Sequence, residues 1–322
     1  MKARSIARLR STKGSVPGSV RSILSIFLLL GGMFLPSNVF AARPSPSPDW
    51  IDKDVRYVDY GSANKLINSI NNALASLDPP EDNTVYVRGA CKENVTVSGF
   101  DRLKLIAQNG ASITDASGDT TAVISIDNST RVSVQGFTIN GNGPNAQTEA
   151  IDCTFSYCAF SGNTVQGGSD GIDVSRGARA SLNGDAFQDN VNGAGIFVGQ
   201  SSFILAIGIT TQRNGMGANV SGGGFLQLNK SAVQNNLGPG IQVHDNGMAN
   251  LSASTVTGNA GNGISVLRKS SLALGFAGGA NGSTITNNAG AGVQVKDLSF
   301  ANFPDGAGSV VKSNTGGTDV VC

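Results

Sequence analysis

The chain has 322 residues, 43 of them glycine, with 14% charged residues and a formal net charge of +1. Six of its 23 Lys and Arg precede residue 22, so the remainder carries 17 against 22 Asp and Glu. That acidic remainder lacks the basic footprint that nucleic acid or an anionic membrane surface requires, and neither is an expected partner.

At the N-terminus, Lys2, Arg4, Arg8, Arg10, Lys13 and Arg21 precede an apolar run from Ile23 to Leu35, and "NVFAA" closes it with small residues. This is a secretory signal pattern over residues 1–42. The run is too short to span a hydrocarbon core of about 30 Å, so cleavage without stable membrane insertion is expected. Residues 43–49 alternate proline and serine, as an exposed linker does, and residues 50–322 read as one domain. The expected location is secreted, periplasmic or cell-surface. There, disulfides among Cys91, Cys153, Cys158 and Cys322 are permitted. Four cysteines allow three pairings; spacing favours Cys153 with Cys158, and no zinc pattern is present.

From Ala150 onward, short segments recur as "AIDC", "GIDV", "GIFV", "GANV", "GIQV", "GISV", "GVQV" and "GTDV". Their opening residues are spaced by 21, 24, 22, 23, 23, 29 and 25 residues. Such a period is too short for a strand-helix-strand unit and fits a coil of strands. Asparagines precede most repeats, at Asn163, Asn190, Asn214, Asn236, Asn259, Asn288 and Asn314, and stacked Asn ladders are expected at the turns. Within each strand the alternation, as in Ile172 and Val174 or Ile241 and Val243, turns two apolar residues inward and the one between them outward. One coil cannot bury such a face; stacked coils can. The predicted fold is all-β, a parallel β-helix with coils of about 22–24 residues.

Coil length, Asn turns and "Gly-Ile-x-Val" strands resemble the right-handed parallel β-helix repeats of the pectin-lyase-like superfamily, over roughly residues 55 to 322. The segments "VDYGSANKLINSINNALASL" and "NTVYVRGACKENVTV" are similar to that superfamily's opening strand, capping helix and first coil. Leu66, Ile67, Ile70, Ala73, Leu74 and Leu77 fall on one helical face, suited to plugging the solenoid's end. The resemblance implies a fold, not an activity, because β-helices host lyases, hydrolases, esterases, epimerases and inert fibres. Of the polygalacturonase pattern only "SDGIDV" at 169–174 is echoed, the next coil offering Asp189 alone and no Gly-His-Gly following. Pectin-methylesterase and pectate-lyase signatures are not found. Of the alginate-epimerase Asp-Pro-His-Asp element, "VHDN" at 243–246 keeps His244 and Asp245.

The repeat supplies its own candidate. Aligning Ala150 with Gly171 sets Glu149 beside Asp170 and Asp152 beside Asp173 in adjacent coils, with the second pair outward. Carboxyls about 5 Å apart suit a retaining glycosidase, and their repulsion raises one pKa toward that of a general acid. A hard cation such as Ca²⁺ would suit the same oxygens. Phe197 is outward in the following coil, where it could stack a sugar ring. His244 and Asp245, about 14 Å further along by coil count, are candidate substrate contacts. Two functions are open: an exported protein that binds, and cleaves or epimerises, an extended polysaccharide; or a non-catalytic β-helix with an adhesive, glycan-binding or structural role. The bland reading of Asp170 and Asp173 is a turn residue and a wet strand face.

Overall fold

The structure, a computed structural model, describes residues 55–60, 69–275, 281–303, 308–316 and 319–321. These all fall in one compact unit, Pro48–Cys322. The proposed leader, the linker, Trp50, Leu66, Ile67 and Cys322 lie outside the described residues.

A single coil shows the plan. Ile172–Ser175 forms a first face, Arg179–Asn183 a second and Ala186–Gln188 a third, after which Ala194–Val198 returns to the first face of the next coil. All pairing between coils is parallel and nearly in register, so Ile172 lies between Ile151 and Ile196, and Val174 between Cys153 and Val198. The first face contains ten strands from Val95–Ser98 to Val320–Val321. Two of these, Val95–Ser98 and Ile124–Asp127, precede the repeats seen in the sequence.

Each strand contributes inward residues to columns that run the length of the solenoid. Ile151, Ile172, Ile196, Ala218, Ile241, Ile264 and Val293 form one such column, and all are buried. Burial of about 25 cal/mol per Å² along these columns is the main stabilising term, and no single coil could supply it alone. Thr211 interrupts the third-face column between Phe187 and Val233; it is buried and its hydroxyl has no partner.

The corners explain the punctuation of the sequence. Between the first and second faces the chain turns through two consecutive left-handed residues, such as Asp245 (φ 53°) with Asn246 (φ 62°) and Arg268 (φ 52°) with Lys269 (φ 63°). Backbone amides continue from coil to coil across this corner: Asn246 N–H donates to the Arg268 carbonyl and Lys269 N–H to that of Asp297. Between the third and first faces runs the asparagine ladder, in which the Nδ2 of Asn190, Asn214, Asn236, Asn259 and Asn288 donates to the Oδ1 of the next at 2.8–3.1 Å. Asn163 is not a member. It sits one corner earlier, before Thr164–Gln166, and bonds the buried carboxylate of Asp185 at 2.8 Å. The sequence offset that hid this is its longer distance from the following strand.

The ladder also dictates the glycines. A Cβ on Gly217 would stand 2.4 Å from the Gly240 carbonyl oxygen and 2.9 Å from Asn236 Nδ2, so only glycine lets the coil press against the asparagine. At the N-terminal end the helix Ile70–Ala75 buries Ile70, Ala73 and Leu74 against the first coils. Glu93 caps it, accepting from Ser69 Oγ and from the backbone N–H of Ile70 and Asn71. Cys153 and Cys158 form a disulfide inside the solenoid, and Cys91 is a buried free thiol.

Candidate functional site

On the first face the outward residues of the first nine strands form a column: Thr96, Ser125, Asp152, Asp173, Phe197, Asn219, Gln242, Ser265 and Gln294. Eight of these nine are small polar or carboxyl-bearing side chains, and Phe197 alone is aromatic. Asp152 and Asp173 are direct register partners, hence about 4.8 Å apart along the axis. Phe197 is the register partner of Asp173 on the other side. Its ring lies over Gly199, where an added Cβ would approach it to 2.9 Å.

The electrostatics divide the four acids predicted from the repeat. Burial, then the neighbouring Asp152, pushes the Asp173 carboxyl up to about 7, with the Ser175 hydroxyl opposing. Its Oδ1 is buried with no partner. Burial and Glu149 push Asp152 up to about 6, with the Arg176 guanidinium opposing. Asp170 is also raised to about 6, mainly by burial, but its Oδ1 accepts the Ala194 N–H of the next coil. A Cβ on Gly193 would strike that oxygen at 2.4 Å, so Asp170 is folded onto the neighbouring turn. Asp170 thus fastens two coils together, while Asp152 and Asp173 remain the outward pair and Glu149 supplies negative charge beside them.

Three nearby residues escaped the sequence reading. Asp127 adds a further negative charge near Asp152 and accepts from Thr154 Oγ1 at 3.0 Å. Arg176 both acts on Asp152 and places its guanidinium 5.9 Å from the ring centroid of Phe155. Phe155 itself is exposed in the turn after Asp152. The available signal was the aromatic pair Phe155 and Tyr157 set between two cysteines, a pattern with no apolar periodicity to draw attention to it.

His244 and Asp245 are elsewhere. They follow Ile241–Val243, three rungs from Asp173, with His244 Nδ1 2.7 Å from Asp245 and Nε2 2.9 Å from Asn219 Oδ1. Arg268 approaches both, 3.3 Å from Asp245 and 3.1 Å from His244. These polar groups satisfy one another, and none reaches the acid pair. Among the described residues, no group of three or more His, Cys, Asp or Glu is arranged to hold a metal ion.

The chain matches the family described as "Right handed beta helix region" over residues 122–277. No curated protein matches it in sequence. Among solved structures it is similar to ORF18 of Geobacillus virus E2, at 12% identity and a TM-score of 0.63, covering 82% of this chain and 59% of that one. The chain therefore spans little more than half the length of that relative. It is also similar to the A-module of the Azotobacter vinelandii mannuronan C-5 epimerase AlgE6, at 14% identity and a TM-score of 0.48, covering 78% of this chain and 74% of that one. Pectate lyase Pel9A shows 13% identity and a TM-score of 0.48, with 80% and 81% of the two chains covered. At 12% identity the likeness to ORF18 concerns the fold alone. The parallel in-register coils and the match over residues 122–277 agree: the chain is a parallel β-helix, and those residues form a right-handed β-helix region.

Proposed function

We propose that this is an exported protein that binds an extended polysaccharide along its first face and cleaves it with Asp173 and Asp152. The observation that carries the reading is the outward, in-register pairing of these two carboxyls, both raised toward neutrality. At pH 6–7 Asp173 holds the proton and Asp152 gives its up first, which separates a general acid from a nucleophile or base. The rung spacing of about 4.8 Å falls near the separation of about 5–5.5 Å used for retention through a covalent glycosyl intermediate. In the proposed reaction Asp173 protonates the leaving oxygen while Asp152 attacks the anomeric carbon. Water, deprotonated by Asp173, then releases the sugar and restores both groups. Phe197 offers an apolar surface for the adjoining ring. Export is supported by the leader pattern and by the Cys153–Cys158 bridge, which belongs to an oxidising compartment. Ca²⁺ is proposed only as an ion that the acid patch could recruit together with substrate.

The test is incubation of the protein with neutral and acidic polysaccharides, with and without Ca²⁺, following reducing ends and unsaturated products. New reducing ends that vanish in Asp173→Asn and Asp152→Asn support the proposal. Unsaturated products would reassign the pair to elimination. Binding without product would establish the non-catalytic reading, which the small polar character of the outward column favours.

A further inference from the structure

We infer that the segment 154–157 is an aromatic subsite for an uncharged glycan, placed beside the acid pair; the inference rests on the polysaccharide reading above. Phe155 occupies the first left-handed position of the corner, with φ 47°. In the following coils that position is held by Arg176, Gln200, Gly222, Asp245 and Arg268, so the fold demands the conformation but not the ring. A bulky aromatic at positive φ is unfavourable, and packing does not compensate here, since Phe155 is 57% exposed. Tyr157, two residues on, is 49% exposed. Two open rings on one four-residue segment are costly to solvation and unneeded by the core, which Cys153 and Cys158 fill from either side.

The disulfide brackets this segment, with Phe155 in the turn and Tyr157 opening the second-face strand Tyr157–Ser161. Its connection to the acid pair is direct: the guanidinium of Arg176 lies over Phe155 and acts on Asp152. A chain lying across the rungs at Asp152 and Asp173 would meet Phe197 on one side and the Phe155 turn on the other. Sugar rings present apolar C–H faces that stack on such side chains, and their hydroxyls would find Ser125 and Asn219 on the same outward column.

The charge of the face selects the class of glycan. The outward column holds no Lys or Arg among the described residues; Glu149 and Asp127 act on Asp152 against the guanidinium of Arg176, and Asp152, Glu149 and Asp170 act on Asp173. A polyuronate, with one carboxylate per sugar, would meet net repulsion as the patch ionises; a neutral chain would not.

The experiment measures dissociation constants of the full chain, at pH 5 and pH 8, for a soluble β-glucan, a xylan, a galactomannan and polygalacturonate. The probe variants are Phe155→Asn with Tyr157→Ala, in which Asn suits the left-handed backbone and protects folding. Phe155→Tyr with Tyr157→Phe keeps the rings, and Leu237→Ala removes an exposed apolar residue on a different corner. The expected result is that a neutral polysaccharide binds, that the ring-deleted protein binds it at least tenfold more weakly, and that the other two variants stay within about threefold of wild type. Unchanged affinity in the ring-deleted protein would overturn the subsite while leaving the acid pair's reading intact. Polygalacturonate bound at pH 8 as tightly as any neutral chain would overturn the uncharged class. No polysaccharide bound at all would overturn the polysaccharide reading, and the subsite with it.

Discussion

Asp173 is half-buried by its neighbours on a strand that could have carried any polar residue at that position, as Asn219, Gln242 and Ser265 do in their own coils. Its raised pKa means that the folded protein holds this proton more tightly than the unfolded chain. Stability therefore falls as pH rises from about 4, the ordinary carboxylate range, through about 7. Asp173→Asn imitates the protonated form, so it is expected to stabilise the protein at pH 8 by about 1–2 kcal/mol and to change little at pH 4. Urea titrations at the two pH values check this. In the proposed chemistry the same two groups set the rate profile. Activity should be bell-shaped, rising as Asp152 ionises near 6 and falling as Asp173 ionises near 7. A kcat/KM profile from pH 4 to 9 reads both limbs, and a flat profile would remove the pair from the reaction.

At the scale of the element, the corner ladders and the face columns differ in what a single atom is worth. Asn236 Oδ1 accepts from both the backbone and side chain of Asn214, while its own Nδ2 donates to Thr211 and Asn259. Asn236→Ala would leave several buried groups unpaired, and a loss of about 2–4 kcal/mol is expected by chemical denaturation. Gln234, two residues earlier, donates to Gln212 on a half-exposed face where water can replace the bond. Gln234→Ala should cost about 0.5 kcal/mol and serves as the comparison. Thr211 predicts the opposite sign: its buried hydroxyl has no partner in an apolar column, so Thr211→Val should raise stability by about 1 kcal/mol.

Over the whole molecule the solenoid is a one-dimensional stack, in which a coil is supported by the coils on either side of it. Coils near Val174 and Val198 have partners on both sides, whereas Val320–Val321 pairs only with Val293–Val295 among the described residues. Amide exchange should accordingly be slowest in the strands Ile172–Ser175 and Ala194–Val198 and faster toward Val293–Val295. Uniform protection in a hydrogen-exchange experiment would instead show all-or-none unfolding. Glu93 and the helix Ile70–Ala75 protect the first coils, so the gradient is expected to be less steep at that end.

The sequence by itself determined the coil, because a period near 23 residues and the inward alternation of Ile and Val are local facts that only stacking can satisfy. It also paired Asp152 with Asp173, since in-register stacking converts repeat alignment into contact. It did not place Asn163, whose ladder depends on which corner the residue occupies, nor Ile124–Asp127, whose spacing lacks the glycine mark. Only the tertiary structure turned Asp170 onto the neighbouring backbone while leaving Asp173 with a buried, unpartnered oxygen. Only it, too, brought Arg176 and Phe155 to the side of the acids. The reason is physical: periodicity fixes which way a side chain leaves the strand, but burial and corner geometry are sums over several coils, and no single repeat contains them.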